Sequence, residues 1–237
     1  MYCMDLTLSS SAENLACDEA LLDACEEGSG PEVLRFWEPS NYFVVVGFSN
    51  SVASEVNLKA CKHAGIEVLR RCSGGGTVLQ GPGCLNYTLI LKIAGRPEVE
   101  TIPITNHYIM TKHREALSAV LGRFVEIRGI TDLCLDEVKF SGNAQRRKRR
   151  ALIFHGTFLL NFDLGMVEKF LTMPSREPDY RNGRPHGQFL MNLNAPASEV
   201  KKALRNVWRP TSEMTAAPDC QRLIAEKYSR DEWNLKI

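Results

Sequence analysis

The run Arg70-Arg71-Cys72-Ser73-Gly74-Gly75-Gly76-Thr77-Val78 constrains this chain most, because it sets three successive glycines between two arginines and a β-branched, apolar segment. Three glycines in a row weaken any helix or strand. A chain that keeps them generally lets its backbone approach a ligand, with bare N–H groups turned toward an anion or a carbonyl. The paired arginines add positive charge suited to phosphate or carboxylate. The same tripeptide also serves as a surface turn between solvated cations, so its meaning depends on what the rest of the chain brings to it.

The pattern around the run alternates helices and strands. Leu15, Ala16, Ala20, Leu21 and Ala24 recur at helical spacing over 12–27, with Ser11 placed to cap the helix. Strands are expected at Val33 to Trp37, Tyr42 to Phe48, Glu67 to Arg71, Tyr87 to Ile93, Val125 to Ile127, Asp132 to Leu135, Glu137 to Ser141 and Ala151 to Phe162. Helices are expected at Val56 to Ala64, closed by Gly65, then at Asn106 to Leu121, Met166 to Leu171, Ser198 to Val207 and Cys220 to Tyr228, with a loop at Gly95 to Pro103 and a long one over 173–196. The order lacks a strict βαβ rhythm, which favours an α+β fold with a central mixed sheet over a doubly wound one.

Composition excludes several classes of function. A net charge of +1 over 237 residues is not that of a dedicated nucleic-acid binder. No apolar run approaches the roughly 20 residues needed to cross a bilayer, and the first residues lack the layout of a signal peptide, so a cytoplasmic protein is expected. The eight cysteines are scattered, and none forms a Cys-x-x-Cys pair, which argues for reduced thiols rather than a zinc or redox site.

Three further stretches carry chemistry. Gly81-Pro82-Gly83-Cys84-Leu85-Asn86-Tyr87 makes a turn that folds the chain back toward the glycines. Lys139 stands among Val138, Phe140, Ser141 and Gly142, where an ammonium is well placed only if it meets negative charge, such as that developing on a carbonyl or phosphoryl oxygen. His155-Gly156-Thr157 interrupts an apolar strand, and a glycine there often marks close approach of a ligand. Taken alone, Lys139 also reads as a solvated hairpin lysine and His155 as a hydrogen-bonded core residue.

Taken together and in order, these segments resemble the lipoate-protein ligase A family, whose catalytic fold is shared with biotin-protein ligases and octanoyltransferases. The matching pieces are Asn14-Leu15-Ala16-Cys17-Asp18-Glu19, the glycine run, Gly83-Cys84-Leu85-Asn86-Tyr87, Lys139-Phe140-Ser141-Gly142-Asn143-Ala144 and His155-Gly156-Thr157. The resemblance spans about residues 13–165. It implies one catalytic domain over 1–237, with a loop and helices over 173–237 and a mixed sheet carrying helices on one face. It further implies a bent pocket that holds an acyl chain at one end and a nucleotide at the other. In such ligases ATP and lipoate, or octanoate, form acyl-AMP, and the acyl group then passes to a lysine of a lipoyl carrier domain or a glycine cleavage H-type protein.

On that resemblance Lys139 is the catalytic residue, at the mixed anhydride. The acyl-adenylate would be bound by Glu19, Arg70, Ser73, Gly74, Gly75, Gly76, Thr77, Val78, Gln80, Asn86, Ser141, Gly142, Asn143, Ala144, His155, Gly156 and Thr157. Mg2+ would accompany the ATP phosphates, with Asp132 as a candidate ligand. The chain departs from the family pattern at Gln80, Gly81 and Cys84, where ligases commonly carry His, Asp and Asn. It also leaves no room past about Leu171 for the accessory domain of about 100 residues that many ligases append, so either a separate partner protein or transfer alone is expected.

Two alternatives follow. An octanoyl or lipoyl transferase would draw on an acyl-carrier donor, often through a cysteine thioester, for which Cys134 or Cys84 are the candidates. Gly129-Ile130-Thr131-Asp132-Leu133, similar to a segment of the ligases, favours the ligase. The basic run Arg146-Arg147-Lys148-Arg149-Arg150 suggests more remotely a nucleic-acid-binding module, and otherwise a hairpin tip that steers an acidic carrier or touches nucleotide phosphates.

Overall fold

The computed structural model describes residues 1–236. The chain opens with β1 (Tyr2–Asp5), α1 (Ser11–Glu27), β2 (Val33–Trp37) and β3 (Phe43–Val46), and continues through α2 (Val52–Glu55) and α3 (Leu58–Ala64) to β4 (Glu67–Arg70). Beyond the glycine run lie β5 (Val78–Gln80), β6 (Cys84–Lys92) and α4 (Ile102–Leu121). A meander follows, of β7 (Glu126–Arg128), β8 (Asp132–Leu135), β9 (Val138–Arg147) and β10 (Ala151–Leu159). The last elements are α5 (Gly165–Phe170), α6 (His186–Phe189), α7 (Ala197–Trp208), β11 (Ser212–Glu213), α8 (Gln221–Leu223), a π-helical turn at Ile224–Tyr228, and α9 (Asp231–Asn234).

Eight strands form one mixed sheet in the order β11-β1-β2-β6-β10-β9-β8-β7, and β4-β3-β5 form a second, smaller sheet. Period-two alternation sends side chains to opposite faces of the large sheet. Leu34, Phe36, Leu89, Leu91, Leu152 and Phe154 pack with Ile109 and Met110 of α4 and Leu204 of α7. Val33, Ile90 and Ile153 pack with Cys17, Leu21 and Leu22 of α1. Each such fully buried side chain contributes roughly 1.5–3 kcal/mol. Helices therefore cover both faces of the sheet, not the one face that the resemblance implies. The reason is the near-continuous apolar character of β2, β6 and β10, which leaves both faces in need of cover.

Other differences from the sequence reading have local causes. α1 is capped by Ser10, not Ser11, because Ser10 and Glu13 make a reciprocal capping box. α4 begins at Ile102, since Thr101 caps it and Pro103 is tolerated in the first turn. β9 runs on to Arg147 because Ser141 to Arg147 pair with Leu152 to Phe158 of β10. The expected loop over 173–196 contains a 3-10 turn at Asp179–Arg181 as well as α6. β1 sits between β11 and β2 although it is only four residues long. No helix among the described residues is long and apolar enough to cross a membrane.

Candidate active site

Between the two sheets, beneath the segment 172–190, lies a cavity of about 960 Å³. Its wall includes Gly74 to Gln80 from the glycine run and β5, Lys139 and Ser141 to Gln145 from β9, and His155 to Thr157 from β10. The antiparallel register sets Gly156 opposite Asn143, and Thr157 opposite Gly142 and Asn86, which is why three distant motifs meet here.

Arg71 shapes the glycine run from within. Its guanidinium donates to Gly74 O at 2.5 Å, to Gly76 O at 2.8 Å and to Ser73 Oγ at 3.1 Å. Burial lowers its pKa to about 10, still far above neutrality, so it remains a cation. Gly75 takes φ +86°, a conformation that favours glycine. With its carbonyls held by Arg71, the run leaves the backbone N–H groups of Gly74, Gly75 and Gly76, all on the cavity wall, without a protein acceptor among the described residues, a glycine cradle suited to an anion.

Lys139 Nζ lies 2.8 Å from Asp132 Oδ1, and the Tyr180 hydroxyl donates to Asp132 Oδ2 at 2.8 Å. Burial of the ring, and then the carboxylate of Asp132, push the Tyr180 phenol up, so it stays a donor. A Cβ on Gly142 would stand 2.9 Å from Lys139 Nζ, so a side chain there would push the ammonium from its place. The segment that covers the cavity is tied to the lysine itself, since Met191 N donates to Lys139 O at 2.9 Å.

Neutral polar groups line the rest. Gln80, Asn86 and Thr157 close a triangle: Gln80 Nε2 donates to Thr157 Oγ1 at 2.6 Å, Thr157 Oγ1 to Asn86 Oδ1 at 2.5 Å and Asn86 Nδ2 to Gln80 Oε1 at 3.1 Å. Tyr87 donates to Asn143 Oδ1 at 2.6 Å, and Asn143 Nδ2 to Thr131 O at 2.5 Å. His155 is held from both sides, with Nε2 2.5 Å from Ser73 Oγ and Nδ1 3.5 Å from Asp18 Oδ2. Burial works to raise the Asp18 pKa, but the Arg35 guanidinium at 2.5 Å, His155 and Thr88 outweigh it and hold the carboxyl below its usual range.

Several expected site residues lie elsewhere. Arg70 is fully buried and off the cavity wall; its side chain donates to the carbonyls of Gly47, Asn50, Trp233 and Lys236, clamping the C-terminal segment. Glu19 also leaves the wall, because Lys227 and Tyr228 bind its carboxylate at 2.6 to 2.7 Å. Ser73 is 1% exposed and acts on the site through His155 and Arg71. Neither candidate cysteine reaches the cavity: burial pushes Cys84 up to about 12 and Cys134 up to about 11, and both side chains are packed away. Arg146 and Lys148 of the basic run pair with Glu19 and Asp23 of α1, and the Glu26 carboxylate receives the N–H groups of 149–151. The run is a β-hairpin end docked on a helix, with two of its five cations paired to carboxylates of α1.

Asp132, the candidate magnesium ligand, pairs with Lys139 and accepts from Tyr180. No group of three or more His, Cys, Asp or Glu among the described residues is arranged to hold a metal ion.

The sequence reading missed Glu55, Tyr87, Asp18 and Tyr180, all on the wall. Glu55 accepts from Asn50, Thr77 and Ser175 at 2.6 Å each, joining the glycine run to the covering segment, and these three donors lower its pKa against the effect of burial. Its signal in the sequence was nil, since a Val-Ala-Ser-Glu stretch reads as the exposed start of a helix. Asp18 was legible in principle, four residues after Asn14 on the same helix face as its partner in holding Arg35.

Residues 10–206 match the lipoyl protein ligase A/B catalytic domain. The chain is 25% identical to lipoate-protein ligase A subunit 1 of Thermoplasma acidophilum, over 98% of this chain and 94% of the relative. It is 24% identical to octanoyltransferase LipM of Brevibacillus brevis, over 96% and 95% of the two chains. A solved structure of the bipartite lipoate protein ligase of T. acidophilum shares the fold, with a TM-score of 0.84 at 23% identity, covering 99% of this chain and 95% of that one. With residues 10–206 matched by that family, the chain belongs to the lipoyl protein ligase A/B catalytic-domain family.

Proposed function

We propose that the protein is an ATP-dependent ligase that converts lipoate or octanoate to acyl-AMP and transfers the acyl group to a lysine of a lipoyl carrier domain. One observation carries the reading: Lys139 is the only lysine on the cavity wall, and none of the eight buried cysteines is on it among the described residues. A wall with an ammonium and an N–H cradle suits a mixed anhydride. It offers no thiol for a thioester.

In the first half-reaction the acid's carboxylate oxygen attacks the α-phosphorus of ATP, and the bond to pyrophosphate breaks. Lys139 and the N–H groups of Gly74, Gly75 and Gly76 stabilise the negative charge on the phosphate and carbonyl oxygens. Magnesium would be carried by the nucleotide phosphates rather than by protein ligands. In the second, the acceptor amine attacks the carbonyl carbon, and AMP leaves with the electron pair of the C–O bond. When Lys139 turns to the adenylate, Asp132 Oδ1 is released to meet the incoming ammonium and take its proton. The apolar part of the wall, with Leu79, Leu159 and Phe162, suits an acyl chain.

A lipoyl domain, or a glycine cleavage H-type protein, is the expected acceptor. The name of the T. acidophilum relative, a subunit 1 that the chain spans over 94% of its length, supports a requirement for a separate partner protein. The similarity to an octanoyltransferase at nearly equal identity supports a second reading, transfer from an acyl-carrier donor.

The test is a pair of incubations with a lipoyl domain, read by the domain's mass. One contains ATP, Mg2+ and lipoate or octanoate; the other contains octanoyl-acyl carrier protein. Modification in the first supports the ligase. Modification only in the second overturns it in favour of the transferase.

A further inference from the structure

Glu55, the last residue of α2, lies on the cavity wall with only 4% of its surface exposed. Asn50 Nδ2 and Thr77 Oγ1 donate to its Oε2, and Ser175 Oγ to its Oε1, each at 2.6 Å. Only a carboxylate accepts on two oxygens and donates from neither. Burial works to raise its pKa, but the hydrogen bonds from Ser175, Thr77 and Asn50 outweigh it and hold the carboxyl below its usual range.

The donors come from separate parts of the site. Thr77 directly follows the glycine run, whose residues have no side chains of their own to anchor them, and Ser175 belongs to the covering segment. The end of α2 ties the same segment twice more, since Thr172 N donates to Glu55 O at 3.2 Å and Thr172 Oγ1 to Ser54 O at 2.6 Å. Beyond Ser175 the residues Arg176 to Asp179 line the cavity, and the chain is next held where Tyr180 donates to Asp132 Oδ2 at 2.8 Å. One carboxylate therefore pins each end of this span, Glu55 beside the glycine run and Asp132 beside Lys139.

We propose that Glu55 is the positioning residue that locks the covering segment onto the glycine cradle, so that an acyl-adenylate held between them is retained until the acceptor lysine arrives. The inference rests on the proposed function for the identity of the retained intermediate, while the lock itself does not depend on it. A mixed anhydride that escapes a closed site is lost to water. Glu55 acts through Thr77 and Ser175, which set where the cradle and its cover stand relative to each other, and small errors in such placement are costly.

Two measurements test this. Trypsin cleavage after Arg176, exposed and next to Ser175, reads the lock without any ligand. The rate at which bound synthetic lipoyl-AMP is released into a chase reads retention. Glu55→Ala and Ser175→Ala should each speed both processes by about tenfold or more. The double variant should be no faster than Glu55→Ala, because the two substitutions remove one shared contact. Glu55→Gln should restore most of the difference, since its amide oxygen still accepts from Asn50 and Thr77 and its Nε2 donates to Ser175 Oγ. Ser175 is exposed, so its variant keeps the test open even if Glu55→Ala fails to fold. Cleavage at the wild-type rate in Ser175→Ala would overturn the lock. Faster cleavage with unchanged release of lipoyl-AMP would overturn the positioning role. Failure of the wild type to bind lipoyl-AMP would instead overturn the ligase reading, with the cleavage rates still deciding the lock.

Discussion

Lys139 Nζ lies 2.8 Å from Asp132 Oδ1, and the two side chains form an ion pair on the wall opposite the glycine run. On the proposed function the pair supplies a carboxylate that is freed when the ammonium moves to the adenylate. Lys139→Ala should lower modification of the carrier about 10²- to 10³-fold, or ~3–4 kcal/mol of transition-state stabilisation. Single-turnover transfer assays check this. The melting temperature should move little, because the side chain is partly exposed.

Tyr180 acts on this pair from the covering segment by donating to Asp132 Oδ2. Tyr180→Phe removes one hydrogen bond to a charged acceptor, worth about 1.5–3 kcal/mol. Transfer in single-turnover assays should slow by about tenfold or more. An unchanged rate would mean that Tyr180 only packs.

The cysteines are predicted to be dispensable for chemistry. Cys134→Ala and Cys84→Ala should retain most activity and pay in stability, by about 1 kcal/mol or more for the lost packing. Mass spectrometry after incubation with an octanoyl donor should find no acyl-cysteine on the protein.

His113 supplies a prediction on pH. It is wholly buried, accepts from Trp208 Nε1 at 2.9 Å and packs on the Tyr87 ring at 4.7 Å. Burial, with a smaller contribution from Lys112, lowers its pKa from 6.5 to about 3. The unfolded chain therefore binds a proton near pH 6.5 that the folded chain refuses until about pH 3, and stability falls as the pH drops through that interval. At about 1.36 kcal/mol per pH unit the loss approaches roughly 4–5 kcal/mol at the acid end. His113→Phe should lower stability at pH 7, because Trp208 loses its acceptor, and flatten the dependence between pH 6.5 and 4 in urea unfolding. Parallel curves for the two proteins would contradict this.

How much of this was legible in the sequence depends on the kind of signal each residue leaves. The glycine run, Lys139 and His155-Gly156-Thr157 were legible because each breaks a local rule: glycines where a strand should continue, a lysine among apolar neighbours, a glycine inside a strand. Lys139 and His155-Gly156-Thr157 converge because β9 and β10 are adjacent, and the glycine run joins them where Ser73 meets His155; strand neighbours cannot be read from spacing. Arg70 and Arg71 look alike in the sequence but diverge in role, one clamping the C-terminal segment and the other the glycine carbonyls, since successive side chains point to opposite sides of an extended chain. Glu19 was misassigned for a related reason. Its partners Lys227 and Tyr228 lie more than 200 residues away, and no local pattern announces them. β1 was overlooked because a four-residue strand carries almost no periodicity, although Tyr2 to Asp5 pair in full with Val33 to Phe36.

The most direct test of the central claim, that an acyl-adenylate is held between the glycine cradle and Lys139, supplies the intermediate ready-made. Synthetic lipoyl-AMP is mixed with the protein and an apo lipoyl domain, without ATP and without any partner protein, and lipoylation of the domain is timed. Rapid transfer by wild type, lost about 10²-fold or more in Lys139→Ala, is the predicted result. Absence of transfer from lipoyl-AMP, alongside efficient transfer from octanoyl-acyl carrier protein, would contradict it.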